Sequence, residues 1–344
     1  MSCHAGAVVT GAGLVLAALL PALLAPAQPA FTLRDAAIGE SSGFATSSYN
    51  ASFILTHNDS GGRPEYFVVD TRTGKTLARV PVGGAKNVDW EDIAVSGHTV
   101  YLADIGDNRA ARANVTIYSV AETRPGSHWP TPKTVATTLT YDDGPRDAEA
   151  LLAPPGGAPR FVVTKQLLGA RVYTIDGAHL RHTADVGAGL VTGGSWSPDG
   201  RRIALVSYEG IFVYDAAAWP KGRAQVLPLP PLRQAESITW AGNDAVLVGS
   251  EGVHAPVYRV AVPLPAATTP VPSPTTSASV TASPAASVSP TPGGAVEPSP
   301  APGEAPKGKA GLAKSTSLAA IAVVGGLVLI AVARIRRRKR GGLG

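Results

Sequence analysis

Short runs rich in Val, Ile, Leu, Phe and Tyr recur along the middle of this chain, each about four to seven residues long and each bounded by Gly, Asp, Asn or Ser. Residues 52–56, 66–70 and 76–82 show the pattern, with Asp59-Ser60-Gly61-Gly62 and Thr73-Gly74-Lys75 between them. Such punctuation predicts strands joined by tight turns rather than helices. Three segments repeat a further detail: Asp89-Trp90-Glu91-Asp92-Ile93-Ala94, Asp147-Ala148-Glu149-Ala150-Leu151-Leu152 and Ala235-Glu236-Ser237-Ile238-Thr239-Trp240 each place a Glu just ahead of an apolar run. Roughly 13 to 16 residues after each, a second run ends on polar residues, at Asp104, at Lys165 and at Ser250-Glu251.

Self-similarity at about 40 to 50 residues, with four strands per unit, predicts an all-β propeller. Five units are readable, at residues 42–82, 89–140, 147–186, 193–229 and from 236 onward. The fifth shows only three strands, ending at residues 257–262, and residues 31–38 form a strand-like stretch that belongs to no unit. An N-terminal strand completing the last blade would close the ring and remove an exposed sheet edge. Five blades use all the strand-like sequence; six are the alternative if the second unit conceals a short extra one.

The ends read differently. Residues 5–25 are almost wholly Ala, Val, Leu and Gly, and Ala25-Pro26-Ala27 follows as a small-residue cleavage site, so residues 1–27 have the pattern of a cleaved secretory signal peptide. The propeller is expected over residues 28–263. Residues 264–311 are dominated by Pro, Ser, Thr, Ala and Gly, a composition that cannot offset ordering entropy and predicts an extended stalk. Residues 312–333 contain an uncharged apolar run expected to span a membrane as a helix, and residues 334–344 carry Arg334, Arg336, Arg337, Arg338, Lys339 and Arg340, which would hold that side in the cytoplasm. The layout predicts a single-pass membrane protein with its propeller outside the cell.

Charge and cysteine narrow the function. The whole chain carries a formal net charge of +5, yet residues 31–263 hold 21 Lys and Arg against 23 Asp and Glu. The basic balance therefore belongs to the tail, and the domain has no electrostatic footprint for nucleic acid. Cys3 is the single cysteine and leaves with the signal peptide, so neither disulfides nor Cys-based catalysis is expected in the mature chain. Ring closure within one chain predicts a monomer.

In a propeller the starts of first strands and the ends of second strands gather at one mouth of the central channel. That mouth would collect Asp89, Glu91, Asp92, Asp147, Glu149 and Glu236, together with His57, Asn58, Asp59, Asp104, Asp107, Asn108, Arg109, Lys165, Gln166, Tyr208, Glu209, Ser250 and Glu251. Crowded carboxylates must be protonated, paired with Lys165 or Arg109, or neutralised by a cation, and an oxygen-rich set suits Ca²⁺. Glu91, Glu149 and Glu236 are the candidate metal ligands; the alternative is that they brace neighbouring blades through hydrogen bonds. Asn58, Asp59, Asp104, Asp107, Asn108, Arg109, Lys165, Gln166, Glu209 and Glu251 are the candidate ligand-binding set. His57 is the one candidate general base, its alternative being a turn in which Asn58 and Asp59 bond the loop backbone. No phosphate loop, nucleophile elbow or His-Glu-x-x-His motif occurs in the domain.

Ser195-Trp196-Ser197-Pro198-Asp199-Gly200-Arg201-Arg202-Ile203-Ala204-Leu205 resembles the blade signature of WD40-like and TolB-like bacterial propellers. The Glu-led blade starts resemble those of calcium-dependent propellers of the gluconolactonase-like, strictosidine-synthase-like and phytase-esterase-like families. That resemblance implies a Ca²⁺ at the top of the ring, with Glu91, Glu149 and Glu236 in equivalent positions; the first and fourth units offer Ser42-Gly43 and Gly194-Ser195 there instead. The signal, stalk and basic-tailed anchor together look like a surface protein of a high-GC Gram-positive bacterium. Two functions follow as expectations: a binding module for an extracellular ligand or partner on its acidic top face, or a Ca²⁺-dependent hydrolase of esters, lactones or phosphoesters at the same mouth.

Overall fold

A computed structural model describes residues 28–124 and 133–263. The signal peptide, stalk, membrane helix and tail expected at residues 1–27, 264–311, 312–333 and 334–344 lie outside the described residues, as does His128. Among the described residues no helix is long and apolar enough to cross a membrane.

The described chain is all β. A lone strand, β1 (Pro29–Thr32), precedes four antiparallel strands of a first unit: β2 (Ser41–Thr46), β3 (Phe53–Asn58), β4 (Glu65–Asp70) and β5 (Thr76–Pro81). The second unit holds β6 (Trp90–Ser96), β7 (Thr99–Asp104), β8 (Val115–Ala121) and β9 (Val135–Tyr141), and the third β10 (Ala148–Leu152), β11 (Phe161–Thr164), β12 (Ala170–Asp176) and β13 (His179–Val186). The fourth holds β14 (Val191–Trp196), β15 (Arg202–Ser207), β16 (Ile211–Asp215) and β17 (Gln225–Leu227), and the last β18 (Ala235–Trp240), β19 (Ala245–Ser250) and β20 (Pro256–Ala261). Strand β1 completes this last unit by pairing antiparallel with β20. Units two and three merge into one eight-stranded sheet, because β13 and β9 pair in parallel for two residues, His179 with Thr140 and Leu180 with Tyr141.

Burial falls from the centre outward. Strand β10 is buried at every position and β18 likewise, whereas β9 and β13 show mostly exposed residues with a few buried ones. The inner strands β2, β6, β10, β14 and β18 each touch the next in a closed ring. Five apolar clusters fill the gaps between neighbouring units; one joins Leu55, Tyr66 and Val80 of the first to Trp90, Ile93 and Leu102 of the second. The last such cluster packs Phe31, Leu33 and Ile38 with Phe44 and Phe67 of the first unit and Leu247 and Val257 of the last, so the joint that closes the ring has a core of its own.

The closing strand is shorter and earlier than residues 31–38. Pairing ends at Thr32, after which Leu33 and Ile38 turn inward as fully buried plugs while Asp35 is held by Arg79 at 2.7 Å. A run of apolar residues cannot distinguish a paired strand from an irregular segment whose side chains are buried.

Candidate functional site

Every inner strand carries a bulge near its start, and this irregularity aligns the units residue by residue. Register slips between Ser42 and Phe44, Trp90 and Asp92, Ala148 and Ala150, Val191 and Gly193, and Ala235 and Ser237. The bulged residues are therefore Gly43, Glu91, Glu149, Thr192 and Glu236. A bulge re-aims one side chain out of the ladder, and here the three Glu carboxylates are buried at the top of the channel. The equivalent residue of the fourth unit is Thr192, two positions before the Gly194-Ser195 pair expected from sequence; its hydroxyl donates to the Ala235 carbonyl at 2.6 Å.

Gly43 replaces an acid for a steric reason. Its φ is +75°, and a Cβ there would sit 2.7 Å from Asp92 Oδ1 and 2.8 Å from the Ile93 nitrogen. The space is taken by Asp92, whose carboxylate accepts the backbone N–H groups of Ile93 at 2.9 Å, Leu151 at 2.8 Å and Gly194 at 3.2 Å. One side chain thus ties the second, third and fourth units together across the channel. Burial pushes the Asp92 carboxyl well above its usual range, and the three N–H donors oppose that.

The three glutamates have different fates. Glu149 forms an ion pair with Lys165 at 2.8 Å. Glu236 accepts the Tyr208 hydroxyl at 2.5 Å and the Gln234 amide at 3.0 Å. Lys165 also lies 5.4 Å from the centre of the Tyr208 ring, so one lysine and one tyrosine serve two of the acids. Burial works against the Lys165 charge, but Glu149, Glu236, Tyr208 and Glu91 hold its ammonium pKa well above the usual lysine value. Glu91 is 4 % exposed, and among the described residues its carboxylate makes no hydrogen bond or short ion pair. Burial, then the neighbouring Glu149 and Asp59, push it well above the normal carboxylate range.

Glu91 faces another pair of acids. Carboxylate oxygens of Asp59, Asp89 and Glu91 lie within 4.8 Å of one another. Gly106 lies against them: a Cβ at that position would meet Glu91 Oε1 at 2.1 Å and Asp89 Oδ2 at 2.7 Å. Burial, then Asp89, raises Asp59 to about 7, and burial, then Glu236, raises Glu251 to about 8. At neutral pH this mouth is balanced between holding protons and holding a positive charge.

The remaining candidates divide into scaffold and rim. Asn58 accepts the backbone N–H groups of Gly39 and Glu40 at 3.1 Å and donates to the Ala37 carbonyl at 2.7 Å, so it fixes the loop that leads into the first unit. Asp104 pairs with Arg112 at 2.8 Å rather than with Arg109, which stands exposed beside Asn108. The intervening turn explains the swap: Asp107 accepts the N–H groups of Ala111 and Arg112 and donates its own to Asp147, folding Arg112 back while Arg109 sits at the turn's tip. Gln166 is half-buried, Glu209 exposed.

His57 has no exposed surface. It packs edge-on to Trp90, its Nδ1 donates to the Asn58 carbonyl at 3.0 Å, and burial lowers its pKa to about 4. A neutral ring with no solvent-facing atom is not presented to a substrate at the mouth.

Apart from Tyr208, sequence reasoning missed the apolar rim. Val88, Leu167, Leu168, Tyr208 and Val253 are the large hydrophobic side chains exposed on the connections of this face, and Leu168 is 91 % exposed. Leu167-Leu168 following directly on Lys165-Gln166 in a loop was the available signal, since an apolar pair in a tight connection has no core to fill.

Comparison with known proteins finds likenesses to β-propellers. Residues 136–291 match Gmad1, the lipoprotein LpqB β-propeller domain. Among solved structures, the PQQ-bound aldose sugar dehydrogenase of Streptomyces coelicolor is similar at 11 % identity and a TM-score of 0.44, covering 67 % of this chain and 96 % of that one. The Cps50 (Swd1) β-propeller domain of Myceliophteria thermophila is similar at 12 % identity and a TM-score of 0.39, covering 69 % of this chain and 100 % of that one. No curated protein matches.

Proposed function

We propose that this protein is a five-bladed propeller of the cell envelope that binds a positively charged ligand or partner on its acidic top face. The likeness of residues 136–291 to a lipoprotein's propeller domain supports the envelope setting, in keeping with the signal-like and anchor-like ends of the sequence. One observation carries the binding reading: exposed Val88, Leu167, Leu168, Tyr208 and Val253 surround a mouth of buried carboxylates. Apolar side chains around a desolvated, oppositely charged centre are what a partner with a basic group flanked by apolar residues would need. Retention of an envelope partner by the immobilised full chain tests it. Such a partner should be lost with Leu168→Asp and with Glu91→Gln. A partner held equally by both variants would place binding elsewhere.

Ca²⁺ is the simplest such charge, and the disposition of the acids favours a ligand set different from the sequence expectation. Glu149 and Glu236 are already engaged by Lys165, Tyr208 and Gln234, whereas Glu91 faces Asp59 and Asp89 with its oxygens uncommitted. Asp59, Asp89 and Glu91 would hold the ion, with Gly106 leaving the room beside them. The buried, neutral state of His57 supports binding over hydrolysis, because the candidate base presents no solvent-facing atom to activate a water.

A further inference from the structure

A cavity opens at the other mouth. It encloses about 470 Å³ and is lined by the ends of all five inner strands, from Thr46, Ser96, Leu151, Ser195 and Thr239 outward to the loops beyond them. Its inner end is closed by Asp92: the three residues that donate backbone N–H groups to that carboxylate, Ile93, Leu151 and Gly194, all line the cavity. The acidic mouth and this cavity are therefore two chambers on opposite sides of one buried acid.

Their chemistry is opposite as well. No lining residue of the lower cavity is charged. Behind the wall, Glu122 is 6 % exposed and fully engaged by the hydroxyls of Ser47 and Ser48 and the Ser48 nitrogen, as Asp92 is by its three N–H donors. Polar groups are nevertheless abundant. Thr46 and Thr239 bond each other at 3.2 Å, while the Ser195 hydroxyl and the Asn50 amide nitrogen make no hydrogen bond among the described residues. Two indoles stand in the wall, a half-buried Trp196 and a Trp240 only 1 % exposed; both have their N–H committed, to the Gly200 and Ser195 carbonyls, so what Trp196 offers is carbon surface.

These features select a ligand class. A charged ligand would lose its hydration with no counter-ion to replace it, at a cost of several kcal/mol. A purely apolar one would strand the free hydroxyl and amide. A neutral molecule with many hydroxyls and a C–H face satisfies both walls, and the volume falls within the roughly 300–1,000 Å³ of small-molecule sites. We propose that the lower cavity is a second binding site, for the end of a neutral hexopyranose oligosaccharide, independent of the acidic face.

Trp196 and Trp240 supply the readout. The full chain, kept free of sugar-based detergents, is titrated with maltose, cellobiose and diacetylchitobiose while tryptophan fluorescence is followed. At least one should give a saturable change with Kd of about 1 mM or tighter. Asn50→Asp keeps the acceptor that Ser52 uses at 2.9 Å and exchanges the free amide donor for a charge, so it should weaken that binding about tenfold without loss of fold. Ser195→Asp should do the same, and Glu91→Gln at the opposite mouth should leave it unchanged. The proposal fails if none of the three sugars gives a saturable change up to about 50 mM, or if the affinity ignores both added charges.

Discussion

Replacing Lys165 by Met isolates the electrostatics of the channel. The ammonium lies 2.8 Å from Glu149, whose side chain is 3 % exposed, and removing one member of a buried pair costs about 3–5 kcal/mol. The lysine side chain is itself 22 % exposed, so water recovers part of that, and about 2–3 kcal/mol is expected near neutral pH. For a domain of this size that corresponds to a fall in Tm of about 5–10 °C. The sign of the pH dependence follows from Glu149. Burial already raises its pKa well above the normal value, with Lys165 opposing, so loss of the lysine lets it climb further. An acid with a raised folded-state pKa contributes fully below its unfolded-state value and loses that contribution as pH rises through the folded one. The Lys165→Met deficit should therefore be smaller near pH 5 than near pH 8, because protonation of Glu149 removes the charge that the lysine offsets. Thermal melts followed by circular dichroism at both pH values measure it, and adding Glu149→Gln to the variant should recover most of the loss. An equal deficit at both pH values, or a double variant no better than the single, would refute the ion pair as the source of stability.

Three further outcomes follow from the same geometry. Gly43→Ala forces a Cβ to within 2.7 Å of Asp92 at a φ of +75°, and should destabilise by about 2–4 kcal/mol in denaturant melts; a loss below about 0.5 kcal/mol would mean Asp92 is not held as described. Asp92→Asn turns an amide toward N–H groups that now donate to a carboxylate, and should cost about 2–3 kcal/mol, lowering the urea midpoint with little change in slope. A chain beginning at Asp35 lacks β1 and with it Phe31 and Leu33, so it should melt at least about 5 °C below the parent; a difference within about one degree would contradict closure by β1.

The sequence disclosed the period, the glutamates and the mouth at which they meet, because a bulge that recurs at one place in each unit leaves a recurring residue type. It did not disclose that Asp92, one residue past Glu91, turns away to bridge three units, since adjacent acids in a strand look alike until the bulge assigns their directions. Arg109 and Arg112 were indistinguishable for the same reason: the Asp107 turn decides which one folds back onto Asp104. The fate of Glu149 and Glu236 depended on Lys165 and Tyr208, the residues that directly follow the second strands of the third and fourth units. The lower cavity left no signal at all, because its wall is assembled from ordinary strand ends such as Ser195 and Thr239, whose residue types are those of any half-buried sheet.

The claim that the upper mouth receives positive charge is tested most directly by calorimetric titration of the full chain with Ca²⁺, at about pH 8 and again at about pH 6. Asp59, raised to about 7, is ionised at the higher value and largely protonated at the lower, so binding should be saturable at the first and distinctly weaker at the second. Glu91→Gln, which keeps the shape and removes the uncommitted carboxylate, should abolish the heat at both. An isotherm that Glu91→Gln leaves unchanged, or the lack of any saturable heat near pH 8, would contradict a cation-receiving mouth.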